Sequence, residues 1–560
     1  MLGGWPFGLA FWPLEVAFGP IVAWNVLLLV TIAGAGLLTY AWLRTLALPP
    51  AAAALGGLAF AIAPYRLAQS GGHLLGWVAL ALPLALLALE RSRSARSPLA
   101  AHGWGALAAA ALVTIPLSGQ LHLALGALPL VGAYAALRYR LATTAWTLAG
   151  ALASVGIGLL IRYTLIAGSS QPEGRSLDEV DAFSAEWGDF LDRWGRPSSE
   201  DFVYLGWLTP LLAAAGIVAL WRGGRRGLAV FLGIATVVPV LLALGTNIPL
   251  YATLWDALPP FRFPRAPGRL LPVAVLALAA LAAVAAGRLI ARAGRWSAAA
   301  GAALLALVAL DLGALPLEPA AADPANTAYA ALRTAPPEAR QLELPLFAPG
   351  VHFGSVYDYY TLQSRRERPG GYSTLAPAVP YRFAATLNRL SCGAWLPGDR
   401  ATLERLGVTR ILFHAGLYRH AEHPGAWFAW LGLVEAGYRP VARGGAVTLF
   451  APGEGPVSPP PVAEPPRDAP VLCEGWRGRA MSELQATLWL YGAGELELRV
   501  RTPGRWWLGL FVDGRPTGTR AVAGSGTLRA RLDGLGWHAL LVSAPQPGLR
   551  LETVRAVETR

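Results

Sequence analysis

Ala63-Pro-Tyr-Arg-Leu-Ala-Gln-Ser-Gly-Gly-His73 is a polar island between two apolar runs, Ala51 to Ile62 ahead of it and Leu74 to Leu89 behind it. Both runs are rich in alanine and leucine, and neither carries a charge. The island sets a guanidinium, an amide and an imidazole beside Pro64, which ends a helix, and the flexible pair Gly71-Gly72. Such a break in a membrane protein is either a plain turn or the rim of a polar site.

Composition makes the membrane setting plain. The 560 residues are 54% hydrophobic and only 14% charged, with a mean hydropathy of +0.44. A soluble domain usually carries about 25% charged residues. The net charge of +12 is carried by arginine alone, because the chain contains no lysine. With the excess of Ala, Gly, Pro and Trp, that reads as a GC-rich genome plus membrane-orienting charge, and not as a nucleic-acid footprint. Two cysteines, Cys392 and Cys473, exclude a disulfide-rich scaffold and a cysteine-built zinc site. The first residues lack the basic region of a cleavable signal peptide.

Working outward from the island, ten apolar segments are expected as spans: 20–43, 47–63, 73–89, 103–117, 118–137, 144–162, 203–221, 228–245, 269–287 and 296–315. Every second connection is short and marked by arginine. These are Arg44; Arg91, Arg93 and Arg96; Arg138 and Arg140; Arg222, Arg225 and Arg226; and Arg288, Arg292 and Arg295. Glu90 is their one acid. The positive-inside rule makes those connections cytoplasmic. The island, the loops 163–202 and 246–268, and everything after 316 are then expected outside. Residues 1–19 would also start outside, with neither a targeting signal nor a preceding span. That predicts an incomplete N-terminus; the alternative is a short tail carried across by the first span.

The loop from Gln171 to Phe202 holds nine acids interleaved with Phe183, Trp187, Phe190 and Trp194. The apolar spacing at 183, 187, 190, 191 and 194 predicts an amphipathic helix on the membrane surface, its acids forming a solvated face. The second outer loop ends Leu258-Pro-Pro-Phe-Arg-Phe-Pro-Arg-Ala-Pro-Gly-Arg269. Arg262, Arg265 and Arg269 there either hold a phosphate by forked hydrogen bonds or serve lipid headgroups and the acidic loop. After 315 the composition becomes that of soluble domains. Strands at 340–345 and 409–414 and a helix at 400–406 predict an α/β unit over 316–452. Residues 453–469 read as a Pro-rich stiff linker. The alternating tail, 470–560, predicts a β-sandwich with a turn at Asp513-Gly514. Trp506 and Trp507 point to opposite faces, so at least one is core. Cys392 and Cys473 both fall in the outer region, where a disulfide can persist.

No P-loop, dinucleotide fingerprint, H-E-x-x-H or nucleophile elbow is present. The polar residues left are on the expected outer rim: Arg66, Gln69 and His73 on the island, Gln120 and His122 opening the fifth span, and Arg162 ending the sixth. They are candidates for one outward-facing cavity or, singly, satisfied interfacial residues.

Several stretches in a fixed order resemble bacterial integral membrane glycosyltransferases of the GT-C superfamily, in their multi-span form with an extracytoplasmic C-terminal domain. They are Phe60-Ala-Ile-Ala-Pro-Tyr-Arg-Leu-Ala-Gln69 with Gly72-His73-Leu74, Asp201-Phe-Val-Tyr-Leu-Gly-Trp207 and Phe261-Arg-Phe-Pro-Arg-Ala-Pro-Gly-Arg-Leu-Leu271. Leu342-Glu-Leu-Pro345, Gly370-Gly-Tyr-Ser373 and Leu406-Gly-Val-Thr-Arg-Ile-Leu-Phe-His414 follow. The resemblance implies a polyprenyl-phosphate sugar donor, an envelope glycan, lipid or protein acceptor, and transfer of a hexose or pentose outside a bacterial cytoplasmic membrane. It implies a catalytic aspartate on the first outer loop. Residues 1–50 contain no aspartate, and their one acid is Glu15. The catalytic residue is therefore expected upstream of Met1, with the first span. No cofactor is assignable, a divalent metal is left open, and no metal ligand is proposed. The expected architecture is an α-helical polytopic membrane protein of about ten spans, GT-C-like over 1–315, followed by extracytoplasmic α/β and β-sandwich domains. The other function considered is a non-catalytic membrane protein that binds envelope glycans or partners through its outer domains.

Overall fold

A computed structural model describes residues 4–194, 202–313, 323–457 and 459–557. The expected boundary at 315/316 and the acids Glu200 and Asp201 fall outside the described residues. The chain divides into two compact units, residues 1–167 with 171–322, and 168–170 with 323–560.

The first unit is helical, and each of the ten expected segments is a helix. Seven are long and apolar enough to cross a membrane: Pro20–Thr45, Leu75–Ser94, Pro98–Leu117, Leu141–Ile166, Arg226–Ala243, Pro267–Arg292 and Gly294–Leu312. Leu121–Leu137 and Leu208–Arg222 are shorter apolar helices. The remaining segment differs from the expectation at the island. Pro50–Ala61 and Pro64–Gly72 are two helices bent by 42°. Pro64 ends the first because it cannot donate to the ladder, and it opens the second because its fixed φ suits a first turn. The island is thus itself helical. A helix at Phe7–Phe18 precedes all of these.

Pro267–Arg292 is the axis of this unit, enclosed on every side. Small residues let its neighbours approach its backbone: a Cβ on Gly216 would stand 2.0 Å from the Leu281 carbonyl oxygen, and one on Gly56 3.0 Å from that of Ala279. Peripheral helices turn large apolar side chains outward, among them Leu29, Leu37, Leu152 and Leu310. In lipid such faces need no protein cover. The arginine-marked connections are tied into helix ends. Arg44 donates to the Leu48 carbonyl (2.6 Å) and Arg225 to that of Leu46 (3.2 Å). Buried Glu90 accepts from the Tyr134 hydroxyl (2.7 Å), Arg138 (2.7 Å) and Arg93 (3.1 Å).

One expected element is absent. Residues 183–194 form a run of turns, preceded by a short helix at Leu177–Asp181. Asp189 accepts from the Glu186 amide (2.7 Å) and Asp192 from that of Trp194 (2.9 Å). Such local side-chain bonds compete with a helical ladder, and Gly188 weakens it further. Phe190 is core, while Trp187, Leu191 and Trp194 are exposed.

The second unit holds two sheets. Strands β1 (Arg340–Leu344), β2 (Val408–His414), β3 (Tyr438–Gly444) and β4 (Val447–Pro452) lie in the order β1-β2-β4-β3, with β1 and β2 parallel. Their core includes Leu342, Leu344, Ile411, Phe413, Trp430 and Phe450. Residues 453–469 contain no helix or strand among those described, yet they are packed down: Val462 lies on that core and Glu464 accepts from Trp537 Nε1 (2.9 Å). In the tail the expected short strands are fused. Strands β5 (Val471–Leu472), β6 (Trp476–Arg477) and β7 (Ala480–Met481) precede the long β8 (Gln485–Val512) and β9 (Arg515–Ser543), and β10 (Arg550–Val557) closes the sheet. Gly492 and the step from Thr502 to Arg505 are bulges in β8 and not breaks. Residues 509–512 pair on one edge with 515–519 and on the other with 540–543, so the sheet curls around its own core. Trp506 is in that core and Trp507 is exposed. Cys392 and Cys473 are disulfide-bonded, joining the two sheet domains.

Candidate functional site

Two loops of the helical unit interlock. Gly174, at φ +100°, brings its backbone against Arg262, where a Cβ would stand 2.6 Å from the carbonyl oxygen. That close approach lets the Arg175 amide donate to the Arg262 carbonyl (2.7 Å). Trp255 Nε1 donates to the Arg175 carbonyl (3.1 Å), and the Ala185 amide to that of Ala243 (3.0 Å). Thr246 bonds both Asp181 and Ser184. Val180, Leu242, Tyr251 and Leu270 form the core beneath.

This interlock gathers arginines. Arg175 is buried and paired with Glu179 (3.0 Å), whose own amide is capped by Ser176. Burial holds the Arg175 guanidinium below its ordinary pKa. Glu179 opposes that shift, and the neighbouring charges of Arg265 and Arg269 add to it. The basic stretch that carries Arg265 and Arg269 is thus joined to the Arg175 loop through the Arg175–Arg262 backbone bond. Arg265 is laid over the Phe183 ring at 4.5 Å, a cation–π shelf that fixes its plane. Arg269 sits in the 3-10 turn Pro267–Leu270 that opens the axial helix. Arg175, Arg265 and Arg269 are thus carried on two loops that are bonded to each other, and guanidinium is a group that can hold a phosphate by forked hydrogen bonds.

The other expected residues divide. Arg262 donates to the Trp255 and Asp256 carbonyls (3.0 and 3.1 Å) over the Trp255 ring, capping the end of the helix Pro249–Ala257. Arg162 stands over Phe263 at 5.2 Å, beside the same basic stretch. His122 opens the helix Leu121–Leu137, whose Leu125 joins the Val180–Leu270 core and whose Gly126 abuts Leu270. Gln120 is the N-cap of that helix, with its side chain making no capping bond. The island's Arg66 is wholly buried; its amino groups donate to the Ala61 (2.6 Å) and Thr31 (2.8 Å) carbonyls, and its Nε has no partner. Arg66 thus clips the bend to the helix Pro20–Thr45. Gln69 is buried beside it, and His73 is the half-buried C-cap of the island helix.

Sequence reading missed Arg175, because nothing in an acidic loop announces that it bonds the backbone of Arg262, far along the chain. It also passed over Asp311, a carboxylate inside a span and so a functional candidate by default. Asp311 proves structural: it accepts from the Tyr204 hydroxyl (2.8 Å) and from the Trp207 (3.0 Å) and Leu208 (2.9 Å) amides, capping Leu208–Arg222. Among the described residues no three His, Cys, Asp or Glu side chains converge as a metal site would require.

No family model and no curated protein sequence matches the chain. Solved structures do. A cryo-EM structure of the arabinofuranosyltransferase AftD from mycobacteria aligns with 99% of this chain at 14% identity and a TM-score of 0.55. Two classes of a mutant of that enzyme align with 99% and 98% of it, at 16% and 14% identity, each with a TM-score of 0.53. This chain spans 55–57% of the length of those chains. At such identity the likeness speaks for fold alone: the chain is a polytopic helical membrane protein with C-terminal sheet domains, and its fold is similar to that of AftD.

Proposed function

We propose that the protein is a membrane glycosyltransferase that takes its sugar from a polyprenyl-phosphate donor and delivers it to an envelope acceptor outside the cytoplasmic membrane. The observation that carries this reading is the interlock of two arginine-bearing loops, in which the Arg175 amide bonds the Arg262 carbonyl and Arg265 lies over the Phe183 ring of the first loop. In the transfer, the bond between the anomeric carbon and the donor phosphate oxygen breaks, its electron pair leaving with the phosphate, as the acceptor oxygen bonds that carbon and its hydroxyl proton passes to a base or to the released phosphate. Charge then builds on the departing phosphate. Guanidiniums already fixed around it stabilise that charge with little reorganisation. His73 and Gln120 would line the sugar or acceptor side, with His122 two residues after Gln120 on the helix whose Gly126 abuts Leu270. Arg66 is a positioning residue that holds the bent helix pair. Two observations support the orientation: the arginine marking of alternate connections, and the Cys392–Cys473 bond, which persists in an oxidising compartment.

The test is transfer from a polyprenyl-phosphate sugar, in lipid nanodiscs, by the purified protein expressed with whatever in-frame sequence precedes Met1 in its gene. R265A and R269A should lower the rate by about ten- to a hundredfold, since a hydrogen bond to a charged group contributes roughly 1.5–3 kcal/mol. R531A, on an exposed side chain of the curled sheet, should leave it unchanged. Equal rates in all four proteins would remove the site assignment. Donor binding without turnover would favour the non-catalytic glycan-binding reading.

A further inference from the structure

Trp187, Leu191 and Trp194 are large apolar side chains left 61%, 59% and 78% exposed on the loop 183–194. Their depth is fixed, because this loop is stapled to the adjoining ends of two apolar helices. Arg193 donates to the Leu310 carbonyl (2.6 Å), near the close of Gly294–Leu312, and lies over the Trp207 ring at 5.8 Å. Trp207 is the N-cap of Leu208–Arg222. It donates through Nε1 to the Leu191 carbonyl (3.0 Å) and through its amide to Asp311 (3.0 Å). The Leu205 amide bonds the Phe190 carbonyl (3.2 Å), and Phe190 itself is core. The Trp194 and Trp207 rings stand 5.7 Å apart.

From this placement we propose that Trp187, Leu191, Trp194 and Trp207 form an anchor seated in the headgroup boundary of the bilayer, in the leaflet at that end of the two helices. Under the orientation proposed above this is the outer leaflet, since Arg222 and Arg295 mark the opposite ends. The anchor does not depend on the transferase reading. Three features select a lipid surface over a soluble partner. Trp207 shares a helical face with Leu211, exposed one turn further along, and Leu310, whose carbonyl Arg193 bonds, is exposed likewise. The lipid-facing surface of both helices thus reaches the loop. Tryptophan suits that depth, with an apolar body for the acyl boundary and an N–H for the wet side. Leu191 adds apolar area that lipid can cover and that offers a sugar ring no face to stack on. Residues 183–194 also hold three acids, Glu186, Asp189 and Asp192, against one arginine that is already engaged. Attraction to anionic headgroups therefore does not supply the binding, and the anchor works by apolar burial. No helix is needed, because the staples to Leu310 and Trp207 orient the side chains as a helical face would. The same loop runs back to Arg175, so the anchor also sets the height of the Arg175–Arg262 bond over the bilayer.

The experiment places a fluorescent label on single introduced cysteines of the full chain in phosphatidylcholine nanodiscs. Cys392 and Cys473 are joined to each other, so only the new thiol reacts. Trp187→Cys, Leu191→Cys and Trp194→Cys are compared with Leu152→Cys, on an outward-facing side chain midway along Leu141–Ile166, and Arg531→Cys, on an exposed strand position. Labels at 187, 191 and 194 should be quenched more by a spin label at the lipid headgroup than by one at the middle of the acyl chain. The label at 152 should show the opposite order. Aqueous iodide should quench the label at 531 and spare the three loop positions. Replacing part of the lipid with phosphatidylglycerol should leave this pattern unchanged. Adding Arg193→Ala should cost the label at 194 its headgroup quenching and leave the label at 152 as it was. If iodide reaches the three loop labels as readily as that at 531, the anchor is overturned and the surface is open to a soluble partner such as a glycan. Shielding of the three from iodide and from both lipid quenchers would mean that protein covers them, and would overturn it equally. Circular dichroism and melting of each labelled protein separate a changed depth from a lost fold.

Discussion

His414 closes β2 in a fully buried setting, with its Nε2 3.0 Å from the Tyr329 hydroxyl and the rings of Tyr357 and Tyr360 packed against it. Burial, and then the Arg368 charge, lower its pKa from 6.5 to about 3. The unfolded chain therefore binds a proton between those values that the folded chain refuses. This contribution to stability is fully present above pH 6.5 and is lost as pH falls toward 3, by about 1.4 kcal/mol per pH unit. Buried Glu343, which shares Arg368, has a pKa raised by burial, so it acts in the opposite sense as acid is added. The difference between wild type and H414F isolates the histidine. Proteolytic susceptibility of the sheet domains, measured from pH 7 to pH 4, should rise less steeply in H414F, although that variant starts less stable for want of the Tyr329 bond. Parallel profiles would show that His414 does not control this slope. The strand carrying His414 was readable from Thr409-Arg-Ile-Leu-Phe-His414, but its partner Tyr329 was not, since eighty-five positions separate them.

Among elements, the axial helix Pro267–Arg292 was readable as a span from its unbroken alanine and leucine. Its central place was not readable, because a fully enclosed helix and a lipid-facing one have the same composition in a membrane. Glycines distinguish them. Gly216→Val would drive a side chain into the Leu281 backbone, where a Cβ already meets the carbonyl oxygen at 2.0 Å. It should lower stability by about 1–3 kcal/mol, the range of overpacked cores, or prevent assembly of the bundle. Gly158→Val, in the helix Leu141–Ile166 where nothing lies within 4 Å of the added carbon, should melt as the wild type does in detergent. Equal melting of the two variants would contradict the packing described. The loop 183–194 shows the reverse limit of pattern reading. Its apolar spacing fits a helix, but Asp189 and Asp192 each bond a nearby backbone amide, and local polar chemistry prevails over periodicity.

For the whole molecule, the order of membrane part, α/β sheet and all-β tail was legible in composition alone, because each demands a different hydrophobic period. Most pairwise meetings were not: Arg175 with Arg262 and Asp311 with Tyr204 are consequences of tertiary closure, whereas the chain's two cysteines, both expected outside, were readable as a candidate disulfide, Cys392 with Cys473. The last of these links residues 81 positions apart. Removing it with C392S should cost the second unit about 2–5 kcal/mol, read as a lower melting temperature that reductant reproduces in the wild type and does not deepen in the variant. An unchanged melting temperature would mean that packing of Phe428 on Trp489 holds the seam unaided.

The same bond alters how the chain would respond to cutting and pulling. Strands β2, β3 and β4 and the proline-rich connector all lie between the two cysteines. A protease that severs the connector would leave the terminal sheet attached through sulfur, visible as a single band until thiols are added. A tug on the last residues would likewise bypass the connector, and load would pass to Cys392 at the rim of the α/β core.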